Sequence, residues 1–346
     1  MLKKGCRKVA FFFVIQKIKI LYLPNFKAMP LNNINVADFN WQVILNPNAQ
    51  DHKGLAHWNE IAAKFEQQNI RYELHQANGS RKGIDIAQKL CQDGHRHLMV
   101  VGGDGTINEV VNGIMMSGVD TREVFLAVIP HGRGNDWART HHYPESFLES
   151  AEGFLQGHFA SHDIGLTKVF QEDQQVEQRY FININSYCFS AEVIYETVYN
   201  KHKFFNISVY MLGVFSALFK HKAIPVKIQS AECQYEDQPF MISVANCQYN
   251  GGGMRQAPEA RYDDGLFDVV VIPTLSIWTV LTKIKYIFSG THLQKIKGVK
   301  YFRTNKLTID SSPRVLGEME GELLSQGRYE IELLPNALNV LTFNQE

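Results

Sequence analysis

The chain has 346 residues, with 35 Lys+Arg against 35 Asp+Glu, 45% hydrophobic, 12% aromatic and 20% charged residues. At ~150 residues per domain this length suggests about two domains, and the composition excludes disordered, collagen-like and coiled-coil classes. Zero formal net charge gives no global pull toward nucleic acid.

The five cysteines form an odd set with no C-x-x-C spacing. That argues against a disulfide framework or a thiolate zinc site and fits a reducing cytosol. At the amino terminus, Lys3, Lys4, Arg7 and Lys8 precede an apolar run from Val9 to Ile15, which Gln16, Lys17 and Lys19 interrupt. The run is too short for a membrane span of ~20 residues and lacks the form of a secretory h-region. Residues 1–38 are expected to be an extension: disordered, the product of a mis-called start with Met29 the true one, or a short basic surface anchor. The chain is expected to be cytoplasmic, soluble or peripheral on the inner face of a membrane.

From Trp41 the pattern alternates. Trp41–Leu45 reads as an apolar strand ended by the Asn46-Pro47-Asn48 turn, and Leu55–Gln68 has helical apolar spacing. Ile70–His75 alternates like a strand, Gly83–Cys91 reads as a helix, His97–Val101 as a buried strand, Ile107–Met116 as a helix and Phe125–Ile129 as a strand. Strands alternating with helices predict βαβ units on a mostly parallel sheet. Near residue 160 short β-like runs take over: Arg179–Asn185, Val226–Ser230, Phe240–Ala245, Phe267–Ile272, Lys306–Ile309 and Arg328–Leu333. They predict a β-rich, sandwich-like second domain, interrupted by helical patterns at Phe204–Phe219 and Ser276–Phe288.

The strongest motif is Gly102 to Glu109 (GGDGTINE), between a buried strand and a helix. Helix N-termini carry unpaired N–H groups and a partial positive charge, so they receive phosphate. Gly102, Gly103 and Gly105 let the backbone approach an anion. Thr106 and Glu109 fit a capping box. Asp104 is unusual among phosphate-binding amides; it suits a Mg²⁺ ligand or a group that orients a hydroxyl, while a tight turn with a capping Asp is the plain alternative. A second loop, Pro130 to Arg139 (PHGRGNDWAR), also leads from a strand into a helix, with Asn135 or Asp136 as its N-cap. Two such loops at the carboxyl ends of parallel strands converge where ligands bind.

These loops resemble those of the diacylglycerol kinase catalytic family, which includes soluble bacterial lipid kinases and sphingosine and ceramide kinases. The resemblance continues through Asn46-Pro47, Tyr180–Asn185, Ala257–Phe267 (APEARYDDGLF) and Glu320-Gly-Glu322, where the family carries Asp-Gly-Glu. It implies an α/β nucleotide-binding domain at 39–155, a β-rich lipid-substrate domain at 156–325, and a segment 326–346 packing back on the first. ATP would contact Asn46, Gly102, Gly103, Asp104, Gly105, Thr106, Ile107, Asn108, Gly132, Arg133, Asn135 and Asp136. Glu322 would be the general base, with Asp104 assisting, and Asp264 with the carbonyls of Arg261 and Leu266 would hold a structural Mg²⁺. This chain has Arg133 where the family often has Thr in the second loop, Ala77 where a Thr is expected, and Phe267 and Glu320 for Leu and Asp.

The two helical patterns of the second domain are rich in aromatics and flanked by Lys201, Lys203, Lys220 and Lys222, and by Lys283, Lys285, Lys295, Lys297 and Lys300. They suit an interfacial helix against anionic headgroups; a helix packing its apolar face on the sheet is the plain alternative. The histidines, His95, His97, His141 and His142 among them, show no metal-ligand spacing and are read as surface or core residues. The combined expectation is an ATP- and Mg²⁺-dependent lipid kinase acting on a diacylglycerol, sphingoid or phosphatidylglycerol hydroxyl at a membrane surface, without nucleic acid and with a homodimer left open. An NAD kinase-like small-molecule kinase and a catalytically silent lipid-binding module are the alternatives.

Overall fold

In the computed structural model, residues 35–49, 54–199 and 207–343 are described. The basic amino-terminal run, Met29, Phe204, Phe205, Lys201 and Lys203 lie outside them. The first half alternates: β1 (Asn40–Leu45), α1 (Gly54–Gln67), β2 (Arg71–Gln76), α2 (Lys82–Gln92), β3 (His97–Gly102), α3 (Asp104–Met115), β4 (Phe125–Pro130), α4 (Asp136–Thr140) and α5 (Phe147–Glu152). Strands β2-β1-β3-β4 pair in parallel in that order. β1, β3 and β4 are almost wholly buried, as parallel strands covered on both faces must be. Their side chains alternate: Ile44, Leu98, Val100, Leu126 and Val128 meet Leu90, Ile107 and Val110 of α2 and α3. Trp41, Val43, Met99, Val101 and Ile129 point the other way, toward Trp58, Ile61 and Phe65 of α1.

The second half is antiparallel. β5 (His158–Gln171), β6 (Gln174–Phe181), β7 (Ile184–Cys188), α6 (Phe189–Tyr199), α7 (Ile207–Lys220), β8 (Val226–Ser230), β9 (Gln234–Asp237) and β10 (Pro239–Ala245) lead to β11 (Phe267–Pro273). Then come α8 (Ile277–Lys283), α9 (Lys285–Phe288), α10 (His292–Lys295), β12 (Lys300–Thr304), β13 (Lys306–Ser311), β14 (Gly317–Met319), β15 (Glu322–Leu323) and β16 (Arg328–Thr342). One sheet of six strands runs β12-β11-β10-β7-β14-β15. It faces β5, β8, β13 and β16 across a core that includes Val169, Tyr187, Ile242, Val269, Ile309 and Ile331, making a sandwich. The mostly parallel α/β layer followed by an antiparallel β-rich sandwich is the expected fold class.

β16 is longer than the predicted Arg328–Leu333. It bulges between Leu334 and Leu338, with Asn336 left-handed, then continues beside β5 and pairs in parallel with β4 through Asn339 and Val340. One ten-strand sheet thus carries both halves. The predicted strand Arg179–Asn185 is broken at 182–183 into β6 and β7, in different sheets. The Ser276–Phe288 pattern is two short helices divided at Ile284. Among the described residues no helix is long and apolar enough to cross a membrane.

Candidate active site

The two glycine loops touch. A Cβ built on Gly132 would lie 2.5 Å from Gly103 Cα, and one on Gly103 2.8 Å from Gly132 Cα, inside any real carbon contact. Glycine at both positions is therefore what brings the ends of β3 and β4 together. Gly105 differs, since a Cβ there meets nothing within 4 Å; its missing side chain leaves open space over the first turn of α3. Asn46, at the end of β1, donates from its amide to Thr106 Oγ1 at 3.0 Å and so ties a third strand end to the same place. Ile107 is buried in the core under the loop, and Arg133 is exposed on the second loop. Ala77 is buried, its N–H bonded to Leu45 O.

The capping pattern differs from the expected one. Gly103 is the N-cap of α3. Glu109 reaches instead to the start of α2, accepting from Arg81 N at 2.8 Å and Gly83 N at 2.9 Å, and Thr106 Oγ1 accepts from Asn46. Asn135 is the N-cap of α4, but its side chain turns back to accept from Gly132 N at 2.8 Å. Asp104, from the other loop, takes the cap: it accepts from Asp136 N at 3.2 Å and Trp137 N at 3.0 Å. Asp136 reaches in turn into the second domain and accepts from Gly252 N and Gly253 N at 2.7 Å each. Gly251, Gly252 and Gly253 all have positive φ, a conformation side chains resist, and it is this turn that presents two successive N–H groups to one carboxylate.

These bonds only partly offset the cost of withdrawing the acids from water. Burial first, then the neighbouring Asp136 charge, pushes the Asp104 carboxyl up to about 6. Burial likewise raises Asp136, opposed by the glycine amides and Arg139.

The turn between β14 and β15 reaches toward α3. Glu320, left-handed at φ 52, accepts through Oε1 from Ile182 N at 2.8 Å and Asn183 N at 2.9 Å, at the break between β6 and β7. Its Oε2 is withdrawn from solvent with no well-formed hydrogen bond. Burial above all, with the Asp104 charge adding to it, raises this carboxyl to about 8; the Asn183 and Ile182 amides, and Asn108 nearby, oppose the rise. Glu322 has a different setting. Its side chain is 57% exposed and ion-paired with Arg179 at 2.9 Å, and Arg179 is held also by Glu177 at 2.6 Å. Glu318 is wholly interior, accepting from Ser190, Asn250 and Gly321. The cleft beside Glu320 is lined by Gly105 and Asn108 of α3, by Arg81, and by Arg179 and Glu322. Neither arginine belongs to the motifs that mark the site in the sequence. Arg179 sits on β6, far along the chain, and no local motif marks it.

The Asp264 turn stands apart from this cleft. The expected Mg²⁺ would need its carboxylate, but Asp264 is ion-paired with Arg303 and accepts from Leu266 N at 3.2 Å. Nearby Asp163 spends its two oxygens on Gly265 N and Asn336 N at 2.7 Å each, and Asp268 accepts from Tyr301 at 2.5 Å. A guanidinium already neutralises the carboxylate on which the cation would rest, so this donor set does not fit a divalent ion, and Arg261 and Leu266 are turn residues here. A buried trio of His141, His162 and Cys247 has ligand atoms within 4.8 Å of one another. However, Trp137 Nε1 donates to His162 Nε2 at 3.3 Å, and His141 is packed 4.0 Å from Trp137 and 4.3 Å from Tyr262 by ring centroids. We read these as core residues.

Glycine loops at the carboxyl ends of parallel strands are thus joined to an antiparallel sandwich that contributes a buried acid, at the place where α/β sheets receive ligands. Residues 40–167 match the diacylglycerol kinase catalytic domain, and residues 189–342 the YegS C-terminal NAD kinase beta sandwich-like domain. In both stretches the chain is similar to the diacylglycerol kinase catalytic-domain family. Among its relatives are proteins named diacylglycerol kinase from Staphylococcus carnosus, 24% identical over 86% of this chain and 92% of the relative, and from Bacillus subtilis, 25% identical over 81% and 89%. A crystal structure of a protein described as a diacylglycerol kinase from Bacillus anthracis superposes with a TM-score of 0.64 at 19% identity, covering 88% of this chain and 96% of the other. That likeness establishes the fold.

Proposed function

We propose that the protein is an ATP-dependent lipid kinase, transferring the γ-phosphate to the hydroxyl of a membrane lipid of the diacylglycerol class. The observation that carries this reading is the placement of Glu320: a carboxyl withdrawn from water, one oxygen held by two backbone amides and the other without a well-formed hydrogen bond, beside Asp104 and Asn108 at a glycine-lined helix start. Phosphoryl transfer requires little of the protein beyond position, charge stabilisation and a base near the attacking hydroxyl. The first turn of α3 offers N–H groups and a partial positive charge to the nucleotide phosphates, and Arg81 adds cationic charge along the cleft wall. Mg²⁺ accompanying the nucleotide supplies further neutralisation of the phosphates.

In this reading Glu320 Oε2 takes the hydroxyl proton while Ile182 N and Asn183 N fix the other oxygen. A raised pKa makes the carboxylate a stronger base once it is ionised. Glu322, the base implied by sequence resemblance, instead holds Arg179 in place. Purified protein with Mg²⁺ and γ-labelled ATP, offered diacylglycerol, a sphingoid base, phosphatidylglycerol and NAD, tests the proposal. Label in a lipid supports it. Label in NAD alone, or nucleotide binding without turnover on any acceptor, refutes it.

A further inference from the structure

The face of the six-strand sheet turned away from the sandwich core is covered by α7, α8 and α9. Leu218 of α7 and Ile277, Val280 and Ile287 of α8 and α9 pack there on Ile184, Met241, Val270 and Ile272. Among the described residues nothing covers their outer flanks. No residue of α8 or α9 is buried, and Trp278 is 77% exposed, Phe219 72%, Leu212 58% and Phe288 50%. Soluble surfaces seldom carry such a cluster without a partner.

The charge around it identifies the partner. The whole chain is neutral, yet residues 275–300 hold Lys283, Lys285, Lys295, Lys297 and Lys300 with no Asp or Glu. Lys285, Lys295, Lys297 and Lys300 are exposed. Aromatic and aliphatic side chains beside a lysine-rich stretch that has no carboxylate of its own match an anionic bilayer interface, where rings sit at headgroup depth and lysines reach lipid phosphates.

We propose that the outer flanks of α7, α8 and α9 are the surface by which this protein docks on anionic membranes, with Trp278 as the inserted anchor. The inference deepens the lipid-kinase reading and rests on it for the substrate, but binding can be measured without ATP. The protein carries a built-in probe: Trp41 and Trp137 are 0% exposed and Trp58 5%, so Trp278 is the one tryptophan that lipid can reach.

The test uses the full chain with vesicles of phosphatidylcholine alone or mixed with phosphatidylglycerol, read by sedimentation and by quenching with brominated acyl chains. Expected are binding to the mixed vesicles, quenching that Trp278→Phe removes, and on the order of tenfold weaker binding for Lys283→Gln/Lys285→Gln or in high salt. Sedimentation without quenching would move the surface elsewhere. Absence of binding to either vesicle, or self-association that Trp278→Asp abolishes in place of vesicle binding, would overturn the proposal, the latter giving this face to a second copy of the chain. Lipid phosphorylated in detergent without vesicle binding would sink the docking surface alone. Vesicle binding without phosphorylation of any lipid would sink the kinase reading alone.

Discussion

Glu320 and Glu322 are separated by one glycine yet differ in what they can do. Glu320 at φ 52 and Gly321 at φ 85 are both left-handed, and this reversal between β14 and β15 sends Glu320 inward to the amides of Ile182 and Asn183 and Glu322 outward to Arg179. The motif was legible in the sequence, but its facing was not, because the position of the turn within it is set by the pairing of β14 with β7 and β15 and not by the local residues. The raised Glu320 carboxyl makes two pH predictions. Turnover should climb with pH and level off above about 8 as the base form fills; a rate that is flat across that range would count against it. Stability should move the other way. Folded Glu320 keeps its proton to about 8, while the unfolded group releases it near the ordinary glutamate value of 4.5, so the folded state binds more protons in that window and loses stability as pH rises through it. Glu320→Gln should therefore gain on the wild type by roughly 3 °C or more in melting temperature at about pH 9 relative to about pH 5. Equal differences at both pH values would contradict this.

Helix α4 has only five residues, too few to stand without outside help. Asp104 caps it from the neighbouring loop, and Asp136 at its first turn binds the Gly252-Gly253 amides. The sequence displayed a local capping box at Thr106 and Glu109, but tertiary partners redirected both side chains, since Arg81 N, Gly83 N and the Asn46 amide are long-range donors that no local pattern contains. Two substitutions separate shape from binding here. Gly132→Ala drives a methyl against the Gly103 backbone and should cost about 1–3 kcal/mol in denaturant unfolding, with nucleotide affinity lost as well. Gly105→Ala meets nothing within 4 Å. It should leave stability unchanged or raised by about 0.5–1 kcal/mol, while weakening nucleotide binding measured by titration; unchanged binding would mean the phosphates lie elsewhere.

Across the whole molecule β16 is the joining element. It pairs with β13 at one end, β4 at the other and β5 along its length. The alternating βα units and the change of pattern near residue 160 were readable from periodicity. The strand's passage past Pro335 and Asn336 was not, because these residues signal a turn and only the bulge at 334–338 carries the strand through. Both layers share one sheet, so calorimetry should record one cooperative transition, and saturating ATP with Mg²⁺ at about 100 times its dissociation constant should raise the stability of the whole chain by about 2.7 kcal/mol; two transitions, with nucleotide shifting only one, would contradict that. The central claim is that the glycine-lined helix start holds the phosphates and Glu320 takes the proton. Its most direct test is transfer of labelled γ-phosphate from ATP to diacylglycerol by wild type, Glu320→Gln and Glu322→Gln side by side, with nucleotide affinity measured on each. The account predicts labelled lipid from wild type, a loss of ~10²-fold or more for Glu320→Gln with nucleotide affinity retained, and a smaller loss for Glu322→Gln. Near-normal transfer by Glu320→Gln would contradict it.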